Sequence, residues 1–492
     1  MNPFAHSVLV IDFMLKWVES RLTEGGKNVK QQDEWTKARK IIIMMIDLIL
    51  YIGSFLLSFR LRYGAEIPIK NLEAFQGSII YVIIGFVLVN ILLGTYILYN
   101  KSLGDFLFIT IIGQFIMALY IMALTFAGRW LAFPRSIILI VFFVGAILLF
   151  MWRAAVFKLY QRLSGSKRVM IVGMEKEVFE AVDNFTNTRS IRHVVTHVVL
   201  SDYYYNVREN LDNIDVVYLA SQIEDAEKLR IYNLLMEKDK KFFLNTSFEN
   251  LMMVRPNMMN IEDESIIEVS PFRIPSEDDI IKRWLDIIFS LLLIVVSSPI
   301  MLVAAILVKR SSEGPILYRQ IRVTKEGREF EILKFRSMGI TAEQESGPVL
   351  ATSNDMRVTP VGKYLRALRI DELPQLFNVL KGDMSIVGPR PERPFFVSQF
   401  EQQNPHYYLR HNVRAGITGY AQVYGKYASD FNSKLNFDLI YIKQYSLILD
   451  MKIMLQTIKI LFDKVSSQGL DEAERTILSE EELLSRGITV IH

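Results

Sequence analysis

The stretch "SLLLIVVSSPIMLVAAILVKR", residues 290–310, is apolar enough to enter a lipid bilayer, yet it carries Ser297, Ser298 and Pro299 at its middle. A proline inside a helix removes one backbone hydrogen bond and clashes with the preceding turn. Serine hydroxyl groups can satisfy the carbonyl groups that are freed. A helix formed by this segment can therefore break at Ser298 and Pro299.

Basic residues flank the segment on both sides, Lys282 and Arg283 before it and Lys309 and Arg310 after it. Cytoplasmic flanks of membrane segments carry an excess of Lys and Arg, so both ends are expected on the same side of the membrane. We therefore predict a re-entrant membrane helix, which enters one leaflet, breaks and returns to the cytoplasmic surface. The alternative is a kinked span, because proline also occurs in ordinary transmembrane helices.

Toward the N-terminus, four further apolar runs are long enough to cross a hydrocarbon core roughly 30 Å thick. They occupy about residues 41–59, 79–99, 106–126 and 137–151. The basic segments 37–40 and 153–168 flank this group, which indicates that both of its ends face the cytoplasm. We predict a membrane α-helical bundle of four transmembrane helices at 36–160, preceded by an amphipathic segment at 1–35.

After Arg168 the pattern changes to short β-branched runs that alternate with helical periodicity, which is typical of a parallel α/β sheet. A dinucleotide site needs several glycines after the first strand, but here Gly173 is followed by "MEKE". We therefore predict a degenerate Rossmann-like domain at 166–270 that serves packing or oligomerisation. A working nucleotide-binding domain is the alternative.

The composition agrees with membrane segments joined to soluble domains. Of the 492 residues, 51% are hydrophobic, and the mean hydropathy is +0.24. The absence of cysteine excludes disulfides, thiolate metal sites and cysteine nucleophiles. A formal net charge of +3 is too balanced to indicate nucleic-acid binding. The segment 466–492 is predicted to be a charged tail, with a solvated helix at 471–486, and docking of that helix onto a partner is the less favoured alternative.

The richest chemistry lies in "TPVGKYLRALRIDELPQLFNVLKGDMSIVGPRPERP", residues 359–394. Three cations fall on one stripe of a predicted helix: Lys363, Arg366 and Arg369. The adjacent acids Asp371 and Glu372 follow at the start of a second helix. Such a pair beside cations suits a phosphate-handling site, where one carboxylate attacks phosphorus and the other holds a divalent metal. The alternative is an N-cap aspartate among solvated charges.

Further cations come from neighbouring strings: Arg319, Arg322, Lys334, Arg336, Arg357 and Arg390. Arg390 lies between two prolines in "GPRP", residues 388–391, so its backbone is stiff. Rigid guanidinium groups suit bidentate phosphate binding better than surface solubility. The basic amphipathic run at 439–464 suits an anionic membrane surface.

Together these strings resemble the bacterial sugar transferase family, the monotopic polyprenyl-phosphate hexose-1-phosphate transferases, in their long form. The matching strings are "KRWLD" (282–286) leading into "SSP" (297–299), "YRQIRV" (318–323), "KFRSM" (334–338), "LRALRIDELPQLFNVLKGDMSIVGPRP" (365–391) and "GITGYAQV" (416–423). The resemblance covers about residues 275–465. One departure is Ala415, where the family usually has proline.

The resemblance implies a C-terminal, α-rich, monotopic catalytic domain at 275–465 that faces the cytoplasm from the bacterial inner membrane. In this family, Asp371 would attack the β-phosphorus of a UDP-hexose (glucose or galactose), releasing UMP, and undecaprenyl phosphate would then take the phosphosugar. Asp371 and Glu372 would hold Mg²⁺. The implied phosphate ligands are Arg366, Arg336, Arg357, Arg390, Lys334 and Arg322, and the implied contacts of the lipid phosphate are Lys282 and Arg283.

Such a reaction would begin capsule, O-antigen or exopolysaccharide synthesis, and a homodimer is a further expectation. Two other functions remain open at this point. A membrane-bound nucleotide-sugar dehydratase or epimerase would need an intact glycine fingerprint and a Tyr-x-x-x-Lys pair. A non-catalytic scaffold or regulator of polysaccharide assembly would give the pair Asp371 and Glu372 a structural role only.

Overall fold

The computed structural model describes residues 29–98, 101–129, 133–164, 166–186, 193–220, 223–311, 313–339, 357–425, 430–462 and 479–492. The chain forms two compact units. The first unit is Met1–Asn245 with Thr476–His492, and the second unit is Thr246–Arg475. Most of the amphipathic segment predicted at 1–35 lies outside the described residues.

The first unit begins with four long helices, α1 Val29–Tyr63, α2 Ile69–Leu92, α3 Leu103–Ala127 and α4 Arg135–Ser164. Each contains a window long and apolar enough to cross a membrane, and only 33% of each window is buried inside the protein. The remaining apolar surface is therefore available to lipid. The second helix differs from its predicted run at 79–99, since it begins at Ile69 and ends at Leu92. Aromatic side chains fill the interior, and Tyr51 stacks on Phe86 with 4.3 Å between ring centroids.

One polar network joins all four helices. Arg153 of α4 donates from Nε and Nη2 to Asp47 of α1 at 2.9 and 2.7 Å, and from Nη2 to Asn90 of α2 at 2.7 Å. Its Nη1 also donates to Thr110 of α3 at 3.0 Å. A charged side chain among apolar helices is costly unless it is paired, so this network fixes the helices against one another.

The first unit continues into a five-stranded sheet, with strands β1 Lys167–Val172, β2 His193–Val199, β3 Val216–Leu219, β4 Lys241–Leu244 and β11 Thr489–Ile491. The strand order is β11-β2-β1-β3-β4, and every pairing is parallel. Its helices are α5 Glu175–Thr186, α6 Tyr203–Asn210, α7 Asp225–Glu237 and α16 Glu480–Ser485. The predicted parallel α/β region is therefore confirmed.

The segment predicted as a charged, solvated tail behaves differently where the structure describes it. Thr489–Ile491 forms an edge strand that pairs with β2, and Leu483 of α16 is fully buried in the sheet's core. The acidic residues Glu481 and Glu482 of α16 are exposed, as predicted, but the prediction of a solvated tail is wrong for Leu483 and for the strand Thr489–Ile491. Three glutamates dominate "SEEEL", residues 479–483. The apolar residues around them are too few to form a recognisable helical or strand periodicity.

The second unit contains the remaining elements. Its helices are α8 Phe248–Met252, α9 Ser276–Ser311, α10 Pro360–Ala367, α11 Gln375–Lys381, α12 Pro394–Gln403, α13 Tyr420–Tyr424, α14 Phe431–Lys443 and α15 Leu447–Phe462. Its strands are β5 Asn257–Ile261, β6 Glu264–Glu268, β7 Leu317–Val323, β8 Glu329–Phe335, β9 Met384–Val387 and β10 Ala415–Thr418. These strands form three two-stranded sheets. Strands β9 and β10 pair parallel, whereas β5 with β6 and β7 with β8 pair antiparallel.

Helix α9 contains the segment with Pro299, and it is continuous from Ser276 to Ser311. The predicted break in the helix is therefore not observed. Pro299 cannot donate to the carbonyl of Val295, four residues earlier. The hydroxyl of Ser298 donates to that carbonyl instead, at 2.8 Å, so the turn keeps its hydrogen bond.

Both ends of α9 contact other elements of the second unit. Near its start, Asp286 accepts hydrogen bonds from Ser385 Oγ and Ile386 N, both at 3.0 Å. Near its end, Ala304 and Val308 are buried in one cluster with residues of β8 and α10. The apolar residues between these contacts are largely exposed: Leu291, Leu292, Val295, Val296 and Leu302. This helix is the fifth, among the described residues, that is long and apolar enough to cross a membrane.

We expect Leu483→Ala to destabilise the edge of the sheet by about 2–5 kcal/mol, because it leaves a cavity in a packed core. The measurement is hydrogen–deuterium exchange of the β2 and β11 amides in the full-length protein. Leu484→Ala is the matched control, since Leu484 is 55% exposed. Equal protection of β2 in the two variants would contradict the burial of this segment.

Candidate active site

The two adjacent acids lie in a short 3₁₀ turn, Ile370–Glu372, between α10 and α11. Arg369 precedes the turn with a left-handed backbone, φ 53°, which reverses the chain after α10. Helix α11 follows at once, with Pro374 at its N-cap. Asp371 is buried, with 9% of its surface exposed. The sequence prediction of an acidic pair at a helix start is confirmed.

Glu372 is the centre of an ion cluster. Its Oε1 accepts hydrogen bonds from Lys334 Nζ and Arg390 Nη2, both at 3.1 Å, and Arg369 Nη1 lies 3.8 Å from its Oε2. Burial alone would raise the pKa of Glu372, but the charges of Lys334, Arg390 and Arg369 lower it well below its usual range. This carboxylate therefore stays ionised, and its Oε1 is bound by Lys334 and Arg390.

The pKa of Asp371 is shifted in the opposite direction to that of Glu372. Burial, together with the negative charge of Glu372, raises the pKa of Asp371 to about 6, although Lys334, Arg366 and Arg390 act against the rise. Neighbouring carboxylates whose pKa values are pushed apart commonly have different chemical roles. Asp371 is thus the carboxylate that is less stabilised as an anion and readier to react.

A small pocket lies beside the acids. It is lined by Arg322, Ile332, Lys334, Gln375, Arg390 and Pro391. Burial, which outweighs the opposing charge of Glu392, lowers the pKa of Arg322 to about 10. Arg322 also donates to the carbonyl of Pro391 at 3.1 Å. Three of the predicted phosphate ligands therefore line one small pocket, where Lys334 and Arg390 pair with Glu372 and Arg322 lies 3.6 Å from Glu392.

The loop that carries Arg390 is fixed by two buried residues, Arg410 and Asp438, which the sequence analysis did not identify. Arg410 Nη2 donates to the carbonyl of Arg390 at 2.9 Å, and Arg410 is itself paired with Asp438 at 2.8 Å. Both side chains are at least 95% buried. Gly388 lies so close to β10 that an added Cβ would be 2.3 Å from the carbonyl of Arg414. No local pattern links Arg410 to a residue 28 positions later.

The other predicted phosphate ligands are placed around the pocket. Arg366 of α10 is close enough to Asp371 to lower its pKa. Arg336 is buried at the end of β8, and its backbone N–H donates to Ile316. The carbonyl of Arg357 accepts from Gly339, beside the bridge that joins Met338 and Val358. Among the described residues, neither Arg336 nor Arg357 lines the pocket.

The part of the chain that forms this site is similar in sequence to a known family of proteins. The sequence profile described as Bacterial sugar transferase matches residues 277–464, which include every acid and cation of the site. A UDP-glucose:undecaprenyl-phosphate glucose-1-phosphate transferase from Caulobacter vibrioides is 42% identical over 187 residues, which cover 37% of this chain and 69% of the relative. The chain belongs to the bacterial sugar transferase family.

Two other relatives extend the comparison. A UDP-N-acetylgalactosamine-undecaprenyl-phosphate N-acetylgalactosaminephosphotransferase from Aeromonas hydrophila is 52% identical over 182 residues, 36% of this chain and 43% of the relative. A UDP-glucose:undecaprenyl-phosphate glucose-1-phosphate transferase from Klebsiella pneumoniae is 34% identical over 291 residues, 58% of this chain and 61% of the relative. The chain thus spans less than two thirds of these two relatives.

In this bacterial sugar transferase, the two basic residues before the apolar segment are engaged inside the protein. Lys282 is 3% exposed and pairs with Asp450 at 2.5 Å. Arg283 donates to the carbonyl groups of Val379 and Leu380 at 2.6 and 2.8 Å, which caps the end of α11. The structure therefore does not support the prediction that Lys282 contacts a lipid phosphate, because its ammonium group is buried and neutralised.

The fit of the site to Mg²⁺ depends on whether the substrate supplies some of the metal ligands. Among the described residues, no group of three His, Cys, Asp or Glu side chains could hold a metal ion. Mg²⁺ is commonly held by one or two carboxylates together with substrate phosphates. Asp371 offers one carboxylate, and Oε2 of Glu372 is beyond hydrogen-bond distance of Arg369. These donors fit an ion that is shared with a diphosphate.

Proposed function

We propose that this protein transfers a sugar 1-phosphate from a UDP-sugar to undecaprenyl phosphate and releases UMP. The observation that carries the proposal is a buried Asp371 with a raised pKa beside a pocket of Arg322, Lys334 and Arg390. The names of the relatives, which cite glucose or N-acetylgalactosamine and undecaprenyl phosphate, support the same reaction. The alternatives of a dehydratase and of a scaffold have no comparable observation in their favour.

The proposed reaction has two displacements at phosphorus. A carboxylate oxygen of Asp371 attacks the β-phosphorus, and the bond to the bridging oxygen breaks, so that UMP leaves with the electron pair. The phosphate oxygen of undecaprenyl phosphate then attacks the same phosphorus, and the bond to Asp371 breaks. The products are a diphosphate-linked sugar on the lipid and a free carboxylate.

The cations of the site allow several anions to meet. Arg390, Lys334 and Arg322 would bind the oxygens of the diphosphate and stabilise the charge that develops in the transition state. When bound, Mg²⁺ would be held by Asp371, Glu372 and the diphosphate, and would offset part of that charge. Glu372 is the poorer nucleophile, because its charge is already stabilised by Lys334, Arg390 and Arg369.

The reaction also needs a place where a soluble UDP-sugar and a lipid meet. Both ends of α9 contact other elements of the second unit, which supports a re-entrant helix that bends at Pro299 while its helical hydrogen bonding continues, with both ends on the cytoplasmic side. The site would then face the cytoplasm at the inner membrane, and α1 to α4 would span that membrane. Transfer there would be the first membrane step of a capsule, O-antigen or exopolysaccharide.

We expect Asp371→Asn to lower the rate of UMP release by at least about 10³-fold, because the amide cannot act as the nucleophile. The assay uses UDP-glucose, UDP-galactose and UDP-N-acetylgalactosamine with undecaprenyl phosphate in detergent, and also identifies the sugar. Glu331→Gln is the control, since Glu331 is 57% exposed. Unchanged release by Asp371→Asn would contradict the proposal and favour a scaffold.

We expect the pH profile of kcat/KM to fall below about pH 6, because protonation of Asp371 removes the nucleophile. Arg366→Gln removes a charge that lowers this pKa, so the acid limb should move to higher pH. Arg366→Lys keeps the charge and should leave the limb in place. The measurement is initial UMP release between pH 5 and 8, and an identical limb in both variants would contradict the assignment.

We expect the two ends of α9 to be labelled from the same side of the membrane. Single cysteines at Glu277 and Glu313, both exposed, can be placed in a chain that has no cysteine of its own. An impermeant maleimide should label both in inside-out vesicles and neither in intact spheroplasts. Labelling of the two positions from opposite sides would show a complete span and contradict the re-entrant form.

A further inference from the structure

Helix α11 carries two buried side-chain amides, those of Gln375 and Asn378, and each residue is 3% exposed. Both groups of the Asn378 amide have partners inside the protein. Its Nδ2 donates to the carbonyl of Glu331 at 2.7 Å, and its Oδ1 accepts from the backbone N–H of Leu333 at 3.0 Å. The amide of Asn378 therefore joins α11 to β8.

Gln375 differs from Asn378, because its side-chain amide has no hydrogen-bond partner in the part of the chain that the structure describes. Buried polar groups in folded proteins are nearly always hydrogen-bonded, since an unpaired group loses its hydration without compensation. A buried amide that joins no two parts of the fold does not serve packing. A ligand that binds during the reaction would supply the missing partner.

The location of Gln375 indicates the kind of ligand. Gln375 lines the same pocket as Arg322, Lys334 and Arg390. These three cations already contact other groups of the protein. Lys334 and Arg390 each lie 3.1 Å from Glu372, and Arg322 donates to a backbone carbonyl at 3.1 Å. Gln375 is thus the polar residue of this pocket lining whose hydrogen-bonding groups are all available to a substrate.

The chemistry of the amide suits a phosphate oxygen. Nε2 of a glutamine carries two N–H donors, and the oxygens of an ionised phosphate are strong acceptors. Lys334 and Arg390 must share their donors between Glu372 and a substrate, whereas Gln375 has no such competitor. In the proposed reaction Asp371, four positions before Gln375, attacks the β-phosphorus of a UDP-sugar.

We propose that Nε2 of Gln375 donates a hydrogen bond to an oxygen of the β-phosphate of the UDP-sugar. This inference rests on the proposed function and adds a substrate-binding residue to it. A fixed donor at a phosphate oxygen stabilises the charge that develops there in the transition state. The same phosphorus is attacked in both displacements, so the hydrogen bond serves both of them.

The first test separates a substrate contact from a structural one, by thermal unfolding of the full-length protein in detergent without substrate. Gln375→Met keeps the approximate size of the side chain and removes an amide that has no partner, so the midpoint should stay the same or rise. Asn378→Leu is the matched control, and its midpoint should fall, because two hydrogen bonds to β8 are lost. An equal fall for Gln375→Met would overturn the proposal.

The second test measures UMP release. In Gln375→Met, kcat/KM should fall by about 10²-fold with every UDP-sugar that the wild type uses. The initial burst of UMP without undecaprenyl phosphate should slow equally, because the first displacement already needs the contact. A loss confined to reactions with undecaprenyl phosphate would assign Gln375 to the lipid phosphate and overturn the proposal.

A second variant tests the donor itself. Gln375→Glu keeps an acceptor of the same shape and removes both N–H donors, so its rate should fall at least as far as that of Gln375→Met. Wild-type rates in Gln375→Glu would overturn the role of Gln375 and leave the proposed function intact. Wild-type protein that releases no UMP would overturn the proposed function, and this inference with it.

The third test locates the contact on the substrate by competitive inhibition. UDP has a β-phosphate and no sugar, whereas UMP lacks both groups. In Gln375→Met the inhibition constant of UDP should rise about tenfold, since the lost hydrogen bond is to a charged group, and that of UMP should not change. Equal rises would place the contact at the α-phosphate, and an unchanged UDP constant would exclude the β-phosphate. Either result would overturn the proposal.

Discussion

Two neighbouring carboxylates cannot both stay ionised in a buried site unless cations stabilise them. Here the cations surround Glu372. They are Lys334 from β8, Arg369 from the turn and Arg390 from the loop after β9. This cluster fixes three separate parts of the second unit around one carboxylate. It also leaves Asp371 with the higher pKa of the two. The division of roles between the acids thus follows from which of them the cations surround.

The local strings of the sequence were enough to predict the acids, most of the cations and the α/β region. They could not predict which cations are used inside the protein. Lys282 was expected at a lipid phosphate, but its partner Asp450 lies 168 positions later, and no pattern near Lys282 reveals it. The support of Arg390 by Arg410 and Asp438 is equally non-local. Contacts between distant positions depend on the tertiary fold, which a single sequence does not display.

The apolar segment with Pro299 shows a second limit of prediction from the sequence. Its composition correctly indicated a long apolar helix, and its serines were correctly expected to satisfy freed carbonyl groups. The helix assignment is continuous across Pro299, because Ser298 restores the hydrogen bond that Pro299 cannot make, and the bend that a re-entrant helix requires there stays a prediction. Whether proline ends a helix therefore depends on which neighbouring side chain can donate to the carbonyl that it leaves unpaired.

Strand β11 gives the first unit an unusual order of assembly. Ribosomes make β2 early and Thr489–Ile491 only after the whole of the second unit. During that interval the outer edge of β2 has no partner from β11, and open strand edges invite association with other chains. Completion of the sheet thus waits until the second unit has been made, and chains that stop before β11 leave this edge of β2 open to aggregation and proteolysis.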